Sequence, residues 1–262
     1  MKKLLAFLLL VSLAVFSLAA CAKTPEELLE KAEEALEEES FSAEISMHFS
    51  SSDPTISDIV SAISDMEYVL VCDGDKLRMI VEMELEDVDV EVALTLVDDT
   101  AYMKLTAESG GQSQAMKYKA AVTKEQAEEL LGTSNAASGI SPLNFTSITL
   151  DEADGDKIIT CTNPNDTVMS EINDLLGSYL GEDAAAEIKN VKFVHKLDDG
   201  RYDESRLSFD VVLEIMGEEY TMSAALEIDF DFEKDVKVSV PNDADKYEEI
   251  SYDDLLGSGF FG

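Results

Sequence analysis

From residue 41 onward the chain alternates apolar and polar positions in run after run. This period of two is the signature of strands that bury one face and wet the other. Phe41, Ala43, Ile45, Met47 and Phe49 alternate with Ser42, Glu44, Ser46 and His48. A meander follows. Met66–Cys72 turns at Asp73-Gly74 into Lys76–Leu85, which turns at Glu86-Asp87 into Val88–Val97. That strand turns at Asp98-Asp99 into Ala101–Ala107, and Gly110-Gly111 leads to a shorter strand, Ala115–Ala120. Asp-Gly and acidic doublets between alternating runs mark hairpins. Thr146–Leu150 and Lys157–Thr162 flank another acidic turn. In the last third, Val191–Leu197 turns at Asp199-Gly200 into a long strand bearing Leu207, Phe209, Val211, Leu213 and Ile215. Gly217-Glu218 turns back into Tyr220, Met222, Ala224, Leu226, Ile228 and Phe230, and Val236–Val240 closes the sheet before Pro241.

Helical spacing is confined to a few stretches. Thr24-Pro25-Glu26-Glu27 is a capping box with proline at the first helical position, followed by Leu28, Leu29, Ala32, Ala35 and Leu36 on one face. Ile56, Ile59, Val60 and Ile63 predict a short amphipathic helix after the break at Asp53-Pro54. Thr123-Lys124-Glu125-Gln126 opens a helix over Lys124–Leu131 that Gly132 closes, and an irregular polar connection runs from Thr133 to Leu143. Asn165 or Asp166 caps a helix over Thr167–Leu180, which Ala184–Ile188 extends. The acidic tail over 242–262 reads as mobile. The fold class is α+β: one large, curved, mostly antiparallel sheet, an open half-barrel, with a few helices on its apolar concave face.

The first twenty residues lie outside that fold. Lys2 and Lys3 precede an apolar run from Leu4 to Phe16, broken only by Ser12, and Leu18-Ala19-Ala20-Cys21 follows. This order is an export signal over 1–20, too short for a membrane span. The division is therefore a signal over 1–20, one domain over 21–241 and the tail over 242–262. Leu-Ala-Ala-Cys resembles the lipobox of bacterial lipoproteins, which implies diacylation of Cys21 as the mature N-terminus. Two acyl chains hold a protein stably on a bilayer. The expected location is extracytoplasmic, on the bacterial cell membrane.

Charge narrows the partners further. Of 262 residues, 19 are Lys or Arg and 56 are Asp or Glu, a net −37. Such a field repels phosphates, excluding nucleic acid, and an anionic bilayer would hold this chain through its lipid alone. Enzyme chemistry lacks a foothold: there is no Gly-x-Ser-x-Gly, no P-loop, no His-Glu-x-x-His and no Cys-x-x-Cys. The two histidines, His48 and His195, read as surface or packing residues. Asp151, Glu152, Asp154 and Asp156, and again Asp198, Asp199 and Asp203, suit hairpin turns better than a calcium loop, so neither a metal nor another cofactor is expected. Cys72 and Cys161 either form a disulfide or pack as small hydrophobes.

The lipobox, the immediate helix, the long meander and the Val-x-Val-x-Val-Pro end resemble the LolA/LprG-type envelope lipoproteins. That resemblance implies a half-barrel enclosing an apolar cavity that carries acyl chains. Eight methionines fall in predicted strands, and flexible, polarizable Met suits a deformable apolar surface. The expected ligand-lining set is Ile45, Met47, Met79, Met83, Val92, Leu94, Met103, Phe209, Leu213, Met222 and Leu226. The function expected is a non-enzymatic carrier of a lipid-like molecule. The alternative is an envelope interaction module whose core is filled by its own helices.

Overall fold

The computed structural model describes residues 23–51, 66–85, 88–123, 126–127, 144–153, 155–170, 172–173, 186–215, 218–232 and 236–256. The helix expected over 56–63, the connection 133–143 and Cys21 lie outside the described residues. Among those described, no helix is long and apolar enough to cross a membrane.

The chain forms one open, curved sheet of twelve strands. Helix α1 (Pro25–Glu38) precedes a first meander. Its strands are β1 (Phe41–Ser51), β2 (Met66–Asp73), β3 (Lys76–Leu85), β4 (Val88–Val97), β5 (Thr100–Ser109) and β6 (Gln112–Ala121). A second meander contains β7 (Phe145–Ala153), β8 (Asp156–Pro164), β9 (Ala186–Asp198), β10 (Arg201–Ile215) and β11 (Glu218–Asp231). Within each meander every strand pairs antiparallel with its neighbour in sequence. The two are joined by β1 against β11, also antiparallel, with Ile45 opposite Ile228 and Met47 opposite Leu226. This seam makes the α+β half-barrel one continuous layer.

The hairpin signals are realised as tight turns. Asp98 and Asp99 both take positive φ, as do Gly110 and Gly111, the geometry whose twist matches two flanking strands. Gly200 has a further reason. A Cβ there would lie 2.4 Å from Lys31 Nζ, which donates to the Asp199 carbonyl at 3.2 Å. Arg201 with Glu39 (2.7 Å) adds a second tie between α1 and the β9–β10 turn. At the other end of α1 the Thr24 capping box is formed, with Glu27 and Thr24 exchanging hydrogen bonds. The Thr123 box is formed likewise with Gln126. Asn165 Oδ1 accepts from the Thr167 and Val168 amides, capping the helical turns at 166–170.

Three expectations are corrected. Val236–Val240 has no regular secondary structure and joins no ladder; β1 already occupies the place beside β11, and the Val238 amide donates instead to Asp73 Oδ2 at 3.2 Å. Residues 186–188 of the expected extension Ala184–Ile188 are not helical, because β9 begins at Ala186; 184 and 185 lie outside the described residues. The tail is not free over 242–256. It wraps the open edge of β6, starting on the outer face, where Asp243 pairs with Lys117 and Tyr247 meets Tyr102 edge-on at 5.5 Å. Then β12 (Glu248–Glu249) pairs parallel with β6 along the edge. Helix α2 (Tyr252–Leu256) finally delivers Tyr252 and Leu255 into the inner core, Leu255 fully buried.

Leu255→Ala therefore removes a core side chain, and should cost about 2–4 kcal/mol in urea unfolding. A mobile tail would give no change.

Candidate functional site

Directly opposed residues in a sheet share a face, so the register can be followed from strand to strand. Leu70 stands opposite Met79, Met79 opposite Leu94, and Leu94 opposite Met103. Val81 stands opposite Val92, and Met83 opposite Val90. Across the seam, Met47 faces Leu226 and Phe49 faces Ala224, which in turn stands opposite Phe209. Tyr220 faces Leu213, and Met222 faces Val211. All eleven expected lining residues thus lie on one face of the sheet.

Their burial divides them. Val92, Leu94, Met103, Phe209, Leu213 and Met222 are buried, while Ile45, Met47, Met79, Met83 and Leu226 keep partial exposure. The buried six belong to two apolar clusters. The first joins β7–β11 to Leu29 and Ala32 of α1 and to Val168 and Ile172, and includes Leu207, Phe193 and Cys161. The second joins β1–β6 to Tyr252 and Leu255 of α2. Leu36, Leu226 and Phe230 pack against both. Aromatic contacts bridge them as well: Phe230 lies 6.0 Å from Phe41 and 5.6 Å from Tyr202, ring centre to ring centre.

In the β1–β6 half, burial fades along the strands. The rung nearest the start of β1 is closed: Leu77, Ala101 and Ala120 have no exposure, and Leu96 has 2%. Further along, Ile45, Tyr68, Val81 and Leu105 are half-buried, and Met116 is 49% exposed. Phe49, Met83 and Val90 at that end are half-buried too. Among the described residues the inner face is therefore least covered where β1 ends, and there it forms an apolar mouth. Phe49, Tyr68, Val81, Val90, Leu105 and Met116 share this face and are not in the set drawn from sequence. Each shares the alternation of its strand, but nothing in the periodicity tells an open rung from a filled one.

Among the described residues the inner face holds a buried polar pair, His195 and Ser205. His195 Nδ1 and Ser205 Oγ are 2.8 Å apart, at 2% and 3% exposure, with the imidazole centre 3.9 Å from that of Phe193. Nε2 has no hydrogen-bond partner among the described residues. Burial pushes the imidazole pKa down to about 3, so the ring is neutral. A serine–histidine contact this deep has no path to a dissolved substrate and acts as packing. Cys161, in the same cluster, is a free thiol whose pKa burial pushes up to about 12. Cys72 is also free, belongs to the other cluster and is pushed up to about 11 by burial. The question of a disulfide is settled against one.

The outer face is polar. A depression of about 300 Å³ is lined by His48, Asn190, Arg206, Ser208, Asp210 and Ser223, among others. Asn190 and Ser223 both donate to the Asp210 carboxylate at 2.7 Å, holding its pKa below the usual range. In the acidic turns, lysines engage the carboxylates. Lys157 pairs with Glu152, while Lys196 lies 3.2 Å from Asp156 and 2.5 Å from Asp203. Among the described residues no group of three acidic, His or Cys ligands converges. No protein-family model and no curated protein matches the chain.

His195 makes a pH prediction. Its native pKa lies below its unfolded value near 6.5, so below about pH 6.5 the unfolded chain binds a proton that the native core refuses. Stability is then lost as pH falls towards 3, by about 1.4 kcal/mol per pH unit from this group alone. His195→Gln removes the titration, and its unfolding free energy should fall less steeply between pH 6 and 4. Parallel curves for the two proteins would refute the assignment.

Proposed function

We propose that the protein is a lipid-anchored extracytoplasmic carrier that holds an acyl chain against the inner face of its sheet. The observation that carries this reading is the apolar mouth. Half-buried Ile45, Val81, Met83, Val90 and Leu105 lead without a polar break into the buried rows of Leu70, Leu94 and Met103. An apolar surface rimmed by polar residues is characteristic of a binding site. Each CH₂ of a chain buried there contributes about 0.8 kcal/mol. Met83 and Met116 at the mouth supply side chains that adapt to chains of different shape. The open half-barrel with helices against its apolar face is the architecture implied by resemblance to LolA/LprG-type lipoproteins. The lipobox ending at Cys21 supports the anchor. The reading is of a non-enzymatic carrier.

Purified protein lacking residues 1–21 should release a lipid-like molecule in gentle-ionisation mass spectrometry and take up a fluorescent acyl probe saturably. Val81→Glu or Met83→Glu, each at a partly exposed position, should weaken uptake by an order of magnitude or more while leaving the fold intact by circular dichroism. Absence of both copurified lipid and saturable uptake would instead favour the filled-core interaction module.

The anchor has its own test. Cys21→Ala in the full chain should abolish incorporation of labelled palmitate and shift the protein out of the membrane fraction. Unchanged labelling and fractionation would exclude Cys21 as the lipidation site.

A further inference from the structure

The mouth has an electrical character that its apolar lining does not require. Along β2–β5 its residues alternate with carboxylates that lie on the outer face of the same strands. Glu67 precedes Tyr68, Glu82 separates Val81 from Met83, and Asp89 and Glu91 flank Val90. Glu108 follows at the end of the next strand. The register stacks these acids on one another: Glu82 stands opposite both Glu67 and Glu91, and Asp89 opposite Glu108. Like charges directly across a ladder repel and destabilise it. Of the lysines nearest the mouth, one offsets Glu91 and the other offsets Asp243, which leaves Glu67, Glu82, Asp89 and Glu108 to set the field. Lys104 Nζ lies 3.1 Å from Glu91, and Lys117 is paired with Asp243. The remaining cations of this half-sheet, Lys76, Arg78 and Lys119, sit at its closed end. With strands rising about 3.3 Å per residue, the acids fall within roughly 10 Å of the opening, about one Debye length at 0.1 M salt.

We propose that the mouth selects amphiphiles by head-group charge, taking a long chain that ends in a cationic head. This rests on the chain-uptake reading and adds the head group to it. The apolar rows hold the chain. The carboxylates on the outer face of the same strands, within roughly 10 Å of the opening, attract a positive head left at the strand ends and repel an anionic one.

The test compares three dodecyl amphiphiles below their micellar concentrations: dodecyltrimethylammonium, a neutral dodecyl ethylene-glycol ether and dodecanoate. Each displaces the uncharged probe Nile red from protein lacking residues 1–21. Dodecyltrimethylammonium should bind about tenfold more tightly than dodecanoate at 20 mM salt, with the neutral ether between them, and the gap should shrink to within about twofold at 1 M. Glu82→Lys/Asp89→Lys should erase or invert the order at low salt. Asp151→Lys/Glu204→Lys, with the same change in net charge far from the mouth, should leave it intact.

Equal affinities, or a preference that survives Glu82→Lys/Asp89→Lys, would overturn the head-group inference while chain uptake stands. A preference abolished equally by Asp151→Lys/Glu204→Lys would reduce it to net charge and overturn it as well. Failure of all three amphiphiles to displace the probe would overturn the uptake reading and this inference together.

Discussion

Repulsion among carboxylates on the outer face of the sheet is the constraint from which the rest follows. Glu67, Glu82 and Glu91 stand side by side there, with Asp89 and Glu108 on a neighbouring rung. A second sheet or helix layer packed on that side would bury several charges, at a desolvation cost of several kcal/mol for each unpaired ion. The outer face around these carboxylates must therefore stay wet, and the two apolar clusters form on the inner face. A twelve-stranded layer with one usable face needs other elements to cover it. Among the described residues, helix α1, the helical residues at 166–170 and 172–173, and the C-terminal α2 do so, each with few but fully buried side chains: Leu29, Ile172 and Leu255.

Most of the strands were legible because a one-sided sheet makes the period of two explicit, and because turn residues with positive φ mark its corners. The failures share a physical cause, which is pairing between distant segments. Val236–Val240 alternates like a strand, yet β1 has already taken the neighbouring position beside β11. Ile188 and Val191 are both buried although three residues apart, a spacing that reads as helical. Asn190, at φ 54°, is an extra residue in β9 opposite the Ser208–Asp210 stretch of β10, and it shifts the side-chain parity. The tail looked mobile because Tyr252 and Leu255 are isolated among acids. Only the β6 edge, more than a hundred residues earlier in the chain, gives them a place.

The candidate site was legible in direction but not in depth. Alternation put all eleven residues on one face, since parity is a local property. Whether a position on that face is filled depends on which helix reaches it. Leu94 and Met103 lie in a packed cluster with Tyr252 and Leu255, whereas Val81 and Met83, in the neighbouring strand, stay half-buried. A burial gradient running along the strands is a property of the covering elements, and the strand sequences do not encode it.

The β1–β11 seam has a consequence for how the chain reaches this fold. Every other antiparallel pair closes a hairpin or a connection between consecutive strands, whereas Ile45 meets Ile228 across about 180 residues. Loop-closure entropy makes such a contact slow to form, while the two meanders condense from local pairings. During synthesis β1 therefore waits as an unpaired edge, with its apolar side exposed, until residue 218 and beyond have emerged. An open edge of that kind accepts any strand of matching pattern, including the β11 of another chain. Exchange of whole meanders between two molecules would preserve every ladder in the sheet. The seam is thus where this architecture is most exposed to domain swapping.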